Sequence, residues 1–265
     1  MRKVSLWFLP LLACAGLAYA YWVEPERIEI THHTIGHFNE SERSIRVVQL
    51  SDLHLQTVGS RERAVAAEVI RLKPDLIVLS GDVIDRYEAL DELDSFLYLL
   101  EGVSKVAVLG NWEYWADVDL KALRAIYEDK HGGKLLVNAH TVYRFGARSL
   151  QVLGLDDFTA GQPDINVTSQ EMSGLRLVVQ HSPGFFRSPH IAGLKEWASL
   201  CLSGHTHGGQ VTLFGFVLWT PRGSGGFTSG LYDLSVCPLY VSRGIGTSIL
   251  PIRLGSRPEI AVFTL

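Results

Sequence analysis

Seven side chains able to ligate a metal ion follow five short apolar runs. "VVQL" leads into Asp52 and His54 of "SDLHL", "DLIVL" into Asp82 of "SGDVID", and "KVAVL" into Asn111 of "GNWEYW"; "LRLVV" leads into His181 of "QHSP", and "LCL" into His205 and His207 of "SGHTHGGQ". Neutral imidazole and carboxylate are borderline-to-hard donors suited to zinc, iron, manganese or magnesium, and no cysteine is among them. Seven donors exceed what one tetrahedral ion requires. The surplus points to two divalent ions sharing a ligand, the arrangement that clamps both attacking and leaving oxygens during displacement at phosphorus. Singly, each signal is weak: Asp-x-His after a strand is more often a turn or cap, Asn111 beside Gly110 has turn chemistry, and His181 before Ser-Pro suits a half-buried histidine bonded to backbone. The weight comes from five clusters of the right donor types, each behind its own apolar run.

Those runs must be strands if they are to deliver their ends to one place. Between them, "RERAVAAEVIRLK", "ALDELDSFLYLLE" and "DVDLKALRAIYEDK" carry apolar residues at helical spacing. Strand and helix in alternation predict an α/β layered domain, in which groups at the carboxyl ends of strands converge on one crevice. "RIEITHHTI" reads as an earlier strand. The glycine-rich last quarter adds "VTLFGFVLW", "PLYVSRGIG" and "EIAVFTL", further strands that suit a second sheet.

The chain has 265 residues, with 28 acidic and 24 basic side chains, and no basic run beyond "MRK". That balance gives no electrostatic footprint for nucleic acid. Three cysteines, Cys14, Cys201 and Cys237, form no even framework, and a Cys201 to Cys237 bridge stays open. Val4 to Val23 is an uncharged run, preceded by Arg2 and Lys3 and followed by "EPER". Its length suits a bilayer, and the basic flank places the N-terminus in the cytoplasm and residues 24–265, one domain, outside. "AYA" at Ala18 to Ala20 and "LLAC" ending at Cys14 resemble processing sites. The reading adopted is a single-pass inner-membrane anchor over residues 1–23 with the domain on the extracytoplasmic side.

"SDLHL", "GDVID", "GNWE", "QHSP" and "GHTHGGQ" resemble, in order, the five signature blocks of the calcineurin-like metallophosphoesterases. "GHTHGGQ" with "YVSRGIGTSILPIRLGSRPEI" is similar to the bacterial membrane-anchored phosphodiesterase subgroup. The resemblance implies a four-layer αββα sandwich with two central mixed sheets. It implies Asp52, His54 and His207 on one metal, Asn111, His181 and His205 on the other, and Asp82 bridging, with manganese, iron or zinc as the ions. Asp82, Asn111 and His205 would be catalytic. A metal-bridging hydroxide would attack phosphorus in a phosphoester substrate, a lipid-linked one being among the options at a membrane. Gly81, Gly110, Gly204 and Gly208 would serve turns that need unusual backbone angles or close approach.

One position departs from the pattern. The family block reads Gly-Asn-His and then an acid, whereas here Trp112 follows Asn111; an indole N–H donates a hydrogen bond but is no acid near neutral pH. Glu113 keeps the acidic position. Two alternatives stand beside the enzyme reading: similar anchored relatives include the UDP-2,3-diacylglucosamine hydrolases of lipid A assembly, which act on the cytoplasmic face, and Trp112 suggests a catalytically weak protein that binds metal and phosphate. A β-lactamase-type zinc hydrolase also uses His-x-His, but that motif continues with Asp-His and "HTHGGQ" does not. Of the remaining polar residues, His32 and His33 alternate along a strand and His37 precedes the first motif, which argues against a shared metal site. Asp156 and Asp157 suit either the crevice rim or a loop cap, and Arg222 and Arg243 either a phosphate or the surface.

Overall fold

The structure, a computed structural model, describes residues 8–36, 44–167, 174–194 and 198–265. All five apolar runs are strands, buried toward their carboxyl ends: β2 (Arg46–Leu50), β3 (Leu76–Ser80), β4 (Lys105–Val108), β8 (Leu175–Val179) and β9 (Leu200–Ser203). They read as continuous Val, Ile and Leu because both faces of their sheets are covered, so no alternation is needed. One six-stranded sheet has the order β1-β14-β2-β3-β4-β5, with β1 at Glu29–Thr34, β5 at Lys134–Leu135 and β14 at Glu259–Thr264. The second has the order β12-β13-β9-β8-β7-β6, with β6 at Ala139–Phe145, β7 at Arg148–Gly154, β12 at Gly230–Asp233 and β13 at Pro238–Val241. Both are mixed: β14 runs antiparallel to β2 and β7 antiparallel to β6, while β2-β3-β4 and β7-β8-β9 are parallel.

The sheets face each other across an apolar layer to which Val47, Val78, Val106 and Phe263 contribute from the first and Val152, Leu177, Leu202 and Tyr240 from the second. On the outer face of the first sheet lie α2 (Ser60–Leu72) and α3 (Leu90–Tyr98), which bury Val65, Val69, Leu93 and Phe96 against Val48, Ile77 and Leu79. Glu62 fixes the start of α2 by accepting the Gly59 N–H at 3.0 Å, and Lys73 ends it in a left-handed conformation. The outer face of the second sheet differs from the expected αββα plan. Among the described residues, it is covered by the 3₁₀ segments Pro183–Arg187 and Pro189–Leu194, with Phe185, Phe186, Leu194 and Phe227 packed on Leu153, Val178 and Leu239. Pro183 starts the first segment, where its missing N–H costs nothing, and Pro189, with no N–H to donate, keeps that segment from running on past Ser188.

The C-terminal strands divide between the sheets rather than forming a second one alone. β13 extends the second sheet, whereas β14 inserts into the first between β1 and β2. "VTLFGFVLW" forms a separate two-stranded hairpin, β10 (Thr212–Leu213) and β11 (Phe216–Val217). Cys201 on β9 and Cys237 ahead of β13 are joined by a disulfide, closing the pairing that sequence left open.

The single spanning helix expected over Val4–Val23 is not what the described residues form. α1 covers Phe8–Ala18 and passes into a wider π turn over Tyr19–Val23, and no helix among the described residues is long and apolar enough to cross a membrane; residues 4–7 lie outside them. The end of the run belongs to the folded body. Ala20 and Glu24 are buried: the Ala20 carbonyl accepts from the Arg253 N–H at 2.9 Å, and Glu24 Oε1 from the Ser256 N–H at 2.7 Å.

Candidate metal centre

The carboxyl ends of β2, β3 and β4 on one sheet and of β8 and β9 on the other open onto the same edge. Asp52, His54 and His207 offer ligand atoms that lie within 4.8 Å of one another, and so do Asp82, His181 and His205. All six are buried. Asp82 lies between the groups: its Oδ2 is 3.0 Å from His181 Nε2 and 3.9 Å from His54 Nε2. His54 Nε2 and His207 Nε2 stand 3.1 Å apart, and His207 Nε2 is 3.3 Å from Asp52 Oδ1. Asn111 is also buried, and both its chain neighbours touch Asp82 or its clamp: the Trp112 N–H donates to Asp82 Oδ1 at 2.8 Å, and the Gly110 N–H to Glu113 at 2.8 Å.

Hydrogen bonds behind these side chains decide which ring nitrogens face inward. His181 Nδ1 lies 2.8 Å from the Ser80 carbonyl, and His205 Nε2 lies 2.7 Å from the Arg222 carbonyl. A carbonyl only accepts, so each of those nitrogens carries a proton, and the other ring nitrogen is the one that turns toward the clusters to meet a cation. The two sheets are stitched at this end by buried polar contacts. Gln49 donates from β2 to Ser80 Oγ and to the Ser203 carbonyl, and the His205 N–H reaches Asp52 at 3.0 Å.

The donor set fits a pair of cations. Six buried imidazole and carboxylate groups crowd into two clusters, and Asn111 Oδ1 is buried with no hydrogen-bond partner within the chain, which makes it an acceptor awaiting a positive charge. Backbone strain marks the same place: Asp52, His54, Asp82, His205 and His207 all have φ between 45° and 70°. Non-glycine residues rarely adopt that region, and it clusters where function fixes the chain. At Gly204 the reason for glycine is close approach, since an added Cβ would lie 1.9 Å from Ser51 Oγ and 2.4 Å from Asp52 Oδ2.

The electrostatics describe the centre before metal enters. Burial would raise the Asp82 carboxyl, but His181 and then His54 hold it down at about 2. Burial would likewise lower His181, yet Asp82 outweighs it and keeps the imidazole protonated well above its ordinary range. Burial pushes His54, His205 and His207 down, and His54 and Arg253 push His207 further. Three imidazoles are therefore neutral donors, and a cation must displace the proton from the fourth.

Glu113 is not a free acid. Its carboxylate accepts from the backbone N–H groups of Asp82, Val83, Ile84 and Gly110, clamping the turns that carry Asp82 and Asn111. Burial, and then repulsion from Asp82, raises it to about 7. Trp112 is half-buried and meets His54 edge to face at 5.7 Å, so the position where the family pattern has histidine holds an apolar wall. Asp157 caps its own loop, accepting from Thr159, Ala160 and Ser182, and Asp156 accepts from Gln162 and Tyr114. Arg243 is engaged by Glu29 and Glu259, while Arg222 contributes its carbonyl. His32 and His33 point to opposite faces of β1, His33 packing on Tyr240; His37 lies outside the described residues.

Two contributors escaped the sequence reading. Arg253 is wholly buried, donates to the carbonyls of Arg243, Gly246 and Ser256, and places Nη2 3.3 Å from His207 Nδ1. Its signal was a lone cation within "SILPIRLG". Gln49, the cross-sheet stitch, was visible as one polar residue inside "VVQL".

Residues 45–209 match the family described as Calcineurin-like phosphoesterase. Over 96% of this chain and 91% of the relative, the sequence is 32% identical to the "Uncharacterized metallophosphoesterase YkuE" of Bacillus subtilis. It is 28% identical to the "Phosphodiesterase YaeI" of Escherichia coli, over 95% of this chain and 93% of that one. Among solved structures, a Plasmodium protein described as GAP50, the anchor in the inner membrane complex, superposes with a TM-score of 0.53 at 13% identity, covering 83% of this chain and 81% of that one. The Thermus sulfate thiohydrolase SoxB superposes with a TM-score of 0.52 at 14% identity, over 86% of this chain and 58% of that one. At those identities the likeness is one of fold.

Proposed function

The chain belongs to the calcineurin-like phosphoesterase family and is a metal-dependent phosphoester hydrolase, and from that premise we propose that it is a membrane-anchored phosphodiesterase using two divalent cations. The observation that carries the reading is the pair of buried three-residue donor clusters with Asp82 between them. Asp52, His54 and His207 would hold one ion, Asn111, His181 and His205 the other, and Asp82 both. Manganese, iron and zinc all suit this donor set. Such ions, when bound, polarise phosphoryl oxygens and make water nucleophilic near neutral pH.

The chain's own residues set the rest. Ser80 and Arg222 orient His181 and His205 through their carbonyls, Glu113 fixes the Asp82 turn, and Trp112 excludes water beside His54. With indole at position 112, the side chain there has no acidic proton to give a departing oxygen. That favours substrates whose leaving group departs unprotonated, such as aryl or phosphoryl oxygens, over simple alkyl esters. The test is hydrolysis of an aryl phosphodiester with manganese, abolished in Asp82→Ala; two metals bound without turnover would favour a binding role instead.

The uncharged segment ending at Val23 supplies the membrane attachment. The Cys201–Cys237 disulfide supports an extracytoplasmic domain, since disulfides persist in oxidising compartments. That compartment counts against the lipid A alternative, whose reaction is cytoplasmic. A reporter fused to the C-terminus decides it: activity on the cytoplasmic side would undo the assignment.

A further inference from the structure

The hairpin β10–β11 has no role in the chemistry above, yet both its feet stand on the metal centre. Gln210, two residues before it, closes the turn that starts at His207, with its N–H on the His207 carbonyl at 2.9 Å. Gly209 faces Val217 of the hairpin so closely that an added Cβ would come within 2.5 Å. Beyond the hairpin the chain returns at Arg222, whose carbonyl holds His205. The hairpin is therefore one lip of the cleft.

Its outer surface is apolar and uncovered. Phe214 is fully exposed, Phe216 is 75% exposed, Leu218 58% and Trp219 62%. Gln210 joins a second exposed tip to it, since its side-chain amide donates to the carbonyls of Ser248 and Leu250, where Ile249 and Leu250 also face solvent. Neither segment carries a charge: there is no Asp, Glu, Lys or Arg from Leu202 to Pro221 or from Gly244 to Ile252. A folded domain rarely exposes contiguous aromatic and aliphatic surface of this kind unless something covers it.

What covers it is indicated by the N-terminal segment. Ala20 and Glu24 are tied to Arg253 and Ser256, and Leu254 between them pairs with Gln210 and Thr212 at the hairpin's base. The apolar helix α1 thus leaves the body beside the hairpin. Leu11, Leu12 and Leu17 are all more than half exposed, and an added Cβ at Gly16 would meet nothing within 4 Å, so these positions of the helix face away from the described residues of the body. Two uncharged loop tips and an unpartnered apolar helix emerge at one edge. Trp219 is an amphipathic ring of the kind that settles at membrane interfaces, and Phe214, Phe216 and Leu218 are apolar residues of the kind that enter them.

We propose that Phe214, Phe216, Leu218 and Trp219, with Ile249 and Leu250, dock into the apolar boundary of a lipid bilayer, seating the mouth of the metal cleft on the membrane so that it takes phosphoesters presented at the lipid surface. The proposal rests on the membrane-anchored reading above and names its substrate source.

The test uses the full chain carrying Cys14→Ser, reconstituted into vesicles of phosphatidylethanolamine and phosphatidylglycerol. An environment-sensitive fluorophore is attached at Phe214→Cys or Phe216→Cys, and in a control at Ala147→Cys, in the β6–β7 turn at the opposite end of β7 from the cleft. Lipids bearing a shallow spin label should quench the hairpin probes at least threefold more than the control, with emission shifted to the blue. Equal quenching at 214, 216 and 147 would overturn the proposal. So would a blue shift without lipid quenching that grows with protein density, which would mean a second copy covers the hairpin. Hydrolysis of a soluble aryl phosphodiester in detergent reports the catalytic reading separately: inactivity with strong quenching would sink the enzyme assignment and leave the docking surface standing.

Discussion

Gly110→Ala is expected to disable the metal centre while leaving the backbone unstrained. Gly110 has φ −105° and ψ −173°, an extended conformation open to any residue. On backbone grounds alone, alanine should even stabilise the fold by about 0.4–1 kcal/mol through the unfolded chain. The obstacle is steric, and its three nearest atoms all belong to one residue. An added Cβ would stand 2.2 Å from Asp82 Oδ1, 2.5 Å from Asp82 N and 2.8 Å from Asp82 Cγ. Relieving the first contact to the 3.0 Å that real Cβ atoms respect requires a shift of 3.0 − 2.2 = 0.8 Å. Neither side is free to yield it, because Glu113 Oε2 holds the Asp82 and Gly110 N–H groups at 3.1 and 2.8 Å, and Trp112 N–H holds Oδ1. Displacements of roughly 1 Å at a reacting centre cost about 10²-fold in rate, or about 2.7 kcal/mol of transition-state stabilisation. The assay is kcat/KM on an aryl phosphodiester, with metal content measured on the same sample and a thermal melt to establish folding. Gly16→Ala, where a Cβ meets nothing within 4 Å, serves as the control. A folded Gly110→Ala chain with full metal content and turnover like the parent would refute the placement of Asp82 at the centre.

Asp82→Asn should leave fewer than two metal ions per chain in elemental analysis, since the charge shared by both clusters is removed. Metal affinity should rise with pH by up to tenfold per unit near neutrality, because a cation must displace the His181 proton; titration calorimetry at several pH values would read it, and a flat profile would contradict the His181–Asp82 pairing. Without metal, the signs run in opposite directions. The raised His181 value gives stability that is complete below about pH 6.5 and lost as pH climbs through the folded value. The depressed Asp82 value, from 3.8 to about 2, gives stability present above 3.8 and lost as pH falls toward 2, about 2 kcal/mol that urea melts of Asp82→Asn should lack. Replacing Cys201 and Cys237 together by alanine should cost about 3–4 kcal/mol, from the 36-residue separation they close, and reductant should bring the parent chain to the same midpoint.

The site was legible because metal chemistry restricts residue types and the strands restrict where they fall. Asp52, Asp82, His181 and His205 each follow an apolar run within two or three residues, so sequence order alone placed them at strand ends. What order could not supply was direction. The left-handed backbone at five of the candidate ligands is set by the turns around them, and the cross-sheet contacts of Gln49 with Ser80 and Ser203 join residues 31 and 154 positions apart. No periodicity encodes such pairings.

The same limit explains two of the places where the fold departed from expectation. "EIAVFTL" reads as a strand for a second sheet, but a strand's own sequence says only that both its faces are covered. It enters the first sheet because Ala261, Val262 and Phe263 find register with Gln49, Val48 and Val47 on one side and with Thr31, His32 and His33 on the other. The N-terminal run was read by hydropathy, which counts apolar residues without asking what they touch. Ala20 counts toward a bilayer on that scale, yet it is buried against the segment that carries Arg253, and Arg253 in turn reaches His207. The N-terminal run and a candidate metal ligand are thus joined through one buried guanidinium, held down at about 9 chiefly by its burial. Arg253→Met should therefore loosen both: at least three backbone carbonyls lose their donor, and His207 loses the group behind it. A variant that kept its melting point and its metal affinity would show the link to be incidental.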